Sequence, residues 1–196
     1  MIPEPAGDAP DERRYTLADA LALAVGWQRA GALDAADGVY RQILAAVPGQ
    51  PDALHFLGLL EFQRGHADAA LALLERAVAA APAHADLRSN FGNVLQALGR
   101  LDAAEREYRA ALAANPALVA AWNNLGVVLM EKGETAEASR VFQTAFALDS
   151  GQSDEIRKNL RLALAKLDNP AYDAPEESKF SLVRRGQGEY LLLTDL

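Results

Sequence analysis

Between Leu17 and Leu167 the apolar side chains return every three or four residues, in helix-length runs that are cut at regular places by glycine or proline. That period predicts amphipathic helices, and the cuts predict where each one stops. Gly31, Gly65, Gly99 and Gly133 stand 34 residues apart, each after a helix-length run, where a glycine in the left-handed conformation closes a helix. Pro48, Pro82 and Pro116 keep the same spacing at the end of the following run, since proline cannot extend the hydrogen-bond ladder. The pattern therefore divides into four helix pairs, 17–50, 51–84, 85–118 and 119–152. A last amphipathic stretch, 154–167, has no partner helix after it and reads as a cap over the exposed apolar face of the fourth pair.

The fourth unit carries the clearest set of landmarks: Trp122, Leu125, Gly126, Leu129, Gly133, Ala138, Phe142 and Ala145. The third keeps Phe91, Gly92, Leu95, Gly99, Ala104, Tyr108 and Ala111, and the second keeps Leu57, Gly58, Gly65, Ala70, Leu74 and Ala77. The first departs at Ala24, where the others have glycine, and at Ile43, where they have alanine, as suits a terminal unit with a neighbour on one side only. Small residues in fixed phase mark places where paired helices cross too closely for a larger side chain. A plain alanine-rich bundle needs no such phase. The period and landmarks resemble those of the tetratricopeptide repeat (TPR). The resemblance implies an all-α fold, a right-handed α-α superhelix, whose concave face binds other polypeptides.

The flanks break the period. Residues 1–16 are rich in proline and acid with hardly any apolar side chain, which predicts a disordered leader. Its Arg13-Arg14 followed by an apolar run is a faint export-signal pattern, interrupted by Asp19 and needed for the first helix. Residues 168–196 hold an acidic linker, then two runs of β-favouring residues around Gly186-Gln187-Gly188, which predicts a hairpin-like tail over 179–193.

Charge narrows the choice of partner. The net charge of −8 disfavours nucleic acid, whose binding rests on Lys and Arg, and it is spread as −2 over the leader, −3 over the array and −3 over the tail. No run is apolar enough for membrane insertion. With no cysteine there is no disulfide or thiolate chemistry, and a cytoplasmic location is the expectation. His55, His66 and His84 lack metal-ligand spacing, and no phosphate loop or nucleophile motif occurs, so neither metal nor cofactor nor enzymatic activity is expected.

What the resemblance implies for binding can be mapped residue by residue. In the family the concave wall is lined by positions two, five, six, nine, twelve and thirteen of each first helix. Here the N-terminal half of that wall is apolar, with Phe56, Leu59 and Phe62 as candidate anchors. The C-terminal half is amide-rich, with Asn90, Asn93, Asn123, Asn124 and Asn159, joined by Met130 and Lys158. Asn90, Asn124 and Asn159 share one position in successive units, a short ladder that resembles the one lining the repeats of O-GlcNAc transferases. An amide offers both a donor and an acceptor to a peptide backbone; the plainer account is that these side chains tie neighbouring helices together. The carboxylate clamp of some TPR proteins is not matched, because Leu21, Val25, His55 and Leu59 stand where it needs Lys and Asn. The expectation is a non-catalytic adaptor that holds a segment of another protein. The alternative is the substrate-recruiting front of a glycosyl-, sulfo- or methyltransferase whose catalytic part lies outside this sequence. Self-association through the superhelix ends is a third reading, which concentration-dependent light scattering would reveal.

Overall fold

A computed structural model describes residues 15–170, together with the backbone of 180–184 and 190–194. Four helical hairpins follow one another: α1 (Leu17–Arg29) with α2 (Leu33–Ala46), α3 (Pro51–Gln63) with α4 (Ala67–Ala80), α5 (Ala85–Ala97) with α6 (Leu101–Ala114), and α7 (Val119–Glu131) with α8 (Thr135–Leu148). A ninth helix, α9 (Asp154–Asp168), lies against α8 and α7 in the place a further first helix would take. Strands β1 (Phe180–Arg184) and β2 (Tyr190–Thr194) pair antiparallel, Phe180 opposite Thr194 and Arg184 opposite Tyr190. The expected leader, except for Tyr15 and Thr16, and the acidic linker lie outside the described residues.

Local chemistry sets the helix ends. Thr16 and Asp19 form a reciprocal capping box at the start of α1, Pro51 opens α3, and the Ser153 hydroxyl accepts from the Ile156 N–H at the start of α9. Each first helix closes on the glycine expected from sequence. Gly65, for example, sits at φ +83°, and the next N–H, of His66, reaches back to the Glu61 carbonyl at 2.9 Å, satisfying an orphan acceptor. Only glycine takes that φ without a steric penalty.

The phased small residues lie where paired helices meet. Ala36, Ala70, Ala104 and Ala138 are all fully buried, as are Ala77, Ala111 and Ala145. Gly58, Gly92 and Gly126 pass beneath Leu74, Tyr108 and Phe142, so closely that an added methyl would fall within 3 Å of those side chains. Tyr108 and Phe142, which press on two of these crossings, are among the largest fully buried side chains.

The joints between hairpins alternate in character. Arg64 reaches back from the second unit to Asp34 at 2.5 Å and Asp37 at 3.3 Å, and Lys132 reaches from the fourth to Asp102 at 2.8 Å and Glu105 at 2.5 Å. At the equivalent place of the middle joint, Leu98 and Leu71 belong to the apolar core instead. Arg41 and Arg109, and Tyr40 and Tyr108, are each 68 residues apart, so these features recur in every second hairpin. In α9, Arg157 pairs with Asp154 and with the Gly151 carbonyl, so this cap cation is held locally.

Candidate functional site

The first helix of each hairpin lines the inner wall, and the amide side chains on it are engaged with one another across the helices. Asn124 Nδ2 donates to Asn93 Oδ1 at 2.8 Å, and the Tyr108 hydroxyl donates to the same oxygen at 2.7 Å. Gln96 Nε2 donates to Glu131 at 2.8 Å. Asn159 Nδ2 donates to Asn123 Oδ1 at 3.0 Å, while Asn123 Nδ2 donates to Glu155 at 3.1 Å. Asn90 Nδ2 lies 3.1 Å from His55 Nε2. The ladder positions are therefore not bonded to one another: each ties its helix to a different residue of the preceding unit. Asn123 is only 6% exposed and acts as a tie between α7 and α9. Asn90, Asn124 and Asn159 are half-buried and Asn93 is exposed, so these four remain partly accessible to solvent, and Asn90 lines the groove described below.

Two tyrosines set this half and its neighbour. Tyr40 donates to Gln28 Oε1 at 2.9 Å and Tyr108 lies 3.1 Å from Gln96 Oε1, one pairing repeated in the first and third units. Burial pushes the Tyr40 phenol up to about 12 and raises Tyr108 as well, so both remain protonated donors at neutral pH. Replacing Tyr108 by phenylalanine should lower the urea midpoint by the equivalent of about 1 kcal/mol, because one bond to the network is lost while Asn93 can turn to water. An unchanged midpoint would show that the hydroxyl contributes nothing.

The apolar half is an open groove of about 370 Å³ between α1, α3 and α5, walled by Val25, Phe56, Leu59, Gln28, Gln63 and Asn90. Phe56 is half-buried, stacked on Tyr40 with ring centres 6.0 Å apart, and Leu59 and Phe62 are half-buried against the core. Met130 does not join this groove. It lines a separate cavity of about 670 Å³ with Lys166, Leu167 and Pro170, between the start of α8 and the end of α9. Lys158 is exposed on α9.

His55 and Arg29 complete the groove. His55 is 3% exposed, its ring 4.9 Å from that of Phe56, and its Nδ1 is buried without a hydrogen-bond partner. Burial above all, helped by His84 and opposed by the carboxylates of Asp52 and Asp86, pulls its pKa down to about 4, so the ring is neutral at pH 7. Arg29 was not among the anchors expected from sequence, although it occupies the thirteenth position of the first helix, the position Gln63 fills in the second. Among the described residues no set of His, Asp and Glu is grouped to hold a metal ion, and no helix is long and apolar enough to cross a membrane.

Comparison with known proteins gives the fold its family. A model of the tetratricopeptide repeat matches residues 21–85 and 90–153, which take in the first two and the last two hairpins. No curated protein matches the chain. Among solved structures, Pseudomonas aeruginosa PilF superposes with a TM-score of 0.71 at 20% identity, covering 76% of this chain and 68% of that one. MamA of AMB-1 gives a TM-score of 0.58 at 28% identity over 74% of this chain and 79% of its own. The first TPR of Spaghetti (RPAP3), bound to the HSP90 peptide SRMEEVD, gives 0.58 at 21% identity over 61% of this chain and 94% of its own. With its helix pairs in phase, its glycine-closed turns and its matched halves, the chain belongs to the tetratricopeptide repeat family, whose fold is a scaffold for protein–protein interaction.

Proposed function

We propose that the chain is an adaptor that holds a segment of a partner protein in its concave groove. One observation carries this reading: the wall between α1 and α5 is open, half-apolar and followed at once by amides with unengaged atoms, so it can take a side chain and a main chain side by side. A related repeat domain that holds a peptide supports the same use of the fold. A solenoid suits this role because its backbone is rigid before the guest arrives, which reduces the ordering cost of binding. Apolar anchors at Phe56, Leu59 and Phe62 supply the affinity, Asn90, Asn93, Asn124 and Asn159 fix the path of the guest, and Lys158 bounds its far end; Asn123 acts indirectly, by setting α9, and Met130, in its separate cavity, takes no part.

The test is a pull-down from the native source with the Asn90→Ala/Asn124→Ala double variant as control. The partner should be captured by the natural chain and depleted with the variant, while the far-UV spectrum and cooperative melt of the array persist. Equal capture by both chains would remove the amides from binding.

A further inference from the structure

We propose that the N-terminal half of the groove selects a bulky apolar side chain lying next to a carboxylate of the guest segment, with Arg29 as the carboxylate's partner. The inference rests on the groove reading above and adds to it the chemistry of the occupant.

The charges of the array make the case. Arg41, Arg64, Arg88, Arg109 and Arg157 each pair with a carboxylate of this chain. Arg29, like Arg76, Arg100, Arg106, Arg140 and Arg161, makes no ion pair among the described residues; it is exposed at the end of α1 and is the one of these that lines the groove. It is also the one residue of the groove wall that carries a formal charge at neutral pH, since no carboxylate lines the groove and His55 is neutral there. A cation in the last turn does favour a helix macrodipole. The first helices α3 and α7 carry a cation one residue later, at the caps Arg64 and Lys132, but those two are held by carboxylates of the preceding hairpin. Helix α5 ends without one, so the fold does not require a free cation there. A guanidinium beside an apolar wall presents a planar fork that pairs with a carboxylate in two parallel bonds.

The wall beside it fits the second half of the signature. Val25, Phe56 and Leu59 supply the apolar lining of the groove, and about 370 Å³ is room for one large side chain with its main chain. Gln63 and Asn90 line the same groove. At the position of Arg29 the fourth unit has Glu131, held by Gln96, so the two ends of the wall differ in sign. The guest's acid therefore lies toward α1, and the guest runs in one direction.

The experiment is selection of a displayed library of random twelve-residue peptides on the full chain, repeated on Arg29→Glu and on Leu59→Gln. The natural chain should enrich peptides with Asp or Glu within two residues of Leu, Ile, Phe or Met. A synthetic peptide from that pool should bind Arg29→Glu roughly tenfold more weakly or worse, the loss of one charge-assisted contact, and selection on that variant should favour Lys or Arg instead. Leu59→Gln should lose the apolar preference. Apolar enrichment without acid, or an acid preference unmoved by Arg29→Glu, overturns the carboxylate inference and leaves the groove reading standing. Enrichment that neither variant alters, or no enrichment at all, overturns both.

Discussion

Replacing Gly126 by alanine is expected to destabilise the array by about 2 kcal/mol, although alanine is the better helix former by ~1 kcal/mol. The new methyl would lie 2.5 Å from Phe142 Cε1 and 2.7 Å from Cδ1 and Cζ. Phe142 is 1% exposed within the same core, so its ring cannot swing to solvent, and α7 and α8 must part. Overpacking of this kind costs typically ~1–3 kcal/mol and here outweighs the propensity gain. Two comparisons sharpen the result. Gly38 lies inside α2 with nothing within 4 Å of an added methyl, so Gly38→Ala should stabilise, by ~0.5–1 kcal/mol. Adding Phe142→Leu to Gly126→Ala should restore part of the loss, because the second unit already pairs its glycine with Leu74. Urea melts of the three variants decide it; a Gly126→Ala midpoint at or above the parent's would show that the crossing is looser than the distances say.

The second large effect depends on pH. His55 titrates near 4 in the folded chain, below the ordinary value of 6.5, so between those limits the unfolded chain binds more protons. Stability must then fall as pH falls through this window and is fully present above it. From pH 7 to pH 5 the loss attributable to His55 is about 2 kcal/mol. The paired carboxylates Asp102 and Glu105, held below their usual range chiefly by Lys132, lose their contribution only at lower pH and so do not confuse the interval. His55→Leu removes the titration and the partnerless Nδ1 together. Its unfolding free energy should be nearly flat between pH 7 and pH 5 while that of the parent drops. Parallel curves for the two chains would show that His55 is not the source.

The groove was only partly legible beforehand. Phe56, Leu59 and the asparagines could be placed on the inner wall because the repeat register fixes which residues of a first helix face inward. What could not be read was which amides are already engaged. Asn123 and Asn124 are adjacent in the chain, yet one is buried against Glu155 and Asn159 and the other is half-exposed beside Asn93. The same step from buried to half-buried occurs at His55–Phe56 and Ser89–Asn90, so the register sets the burial, while the partners are set by which side chains the neighbouring units and α9 bring within reach. Met130 was assigned to the wall by the same register, and the approach of the end of α9 to the start of α8 gave it a different cavity.

By itself the sequence determined the helices, their pairing, the turns at the four glycines and the crossings beneath Leu74, Tyr108 and Phe142. All of these follow from short-range sterics: the 3.6-residue period, the left-handed φ open to glycine, and the volume that two close helices leave between them. The tertiary structure decided which polar groups find one another across the stack. Arg64 and Lys132 are claimed by carboxylates of the preceding hairpin, about thirty residues back along the chain, while Arg29 is not. Partnership of that kind depends on distances of a few ångströms between separate elements, and those distances are fixed only when the hairpins have stacked.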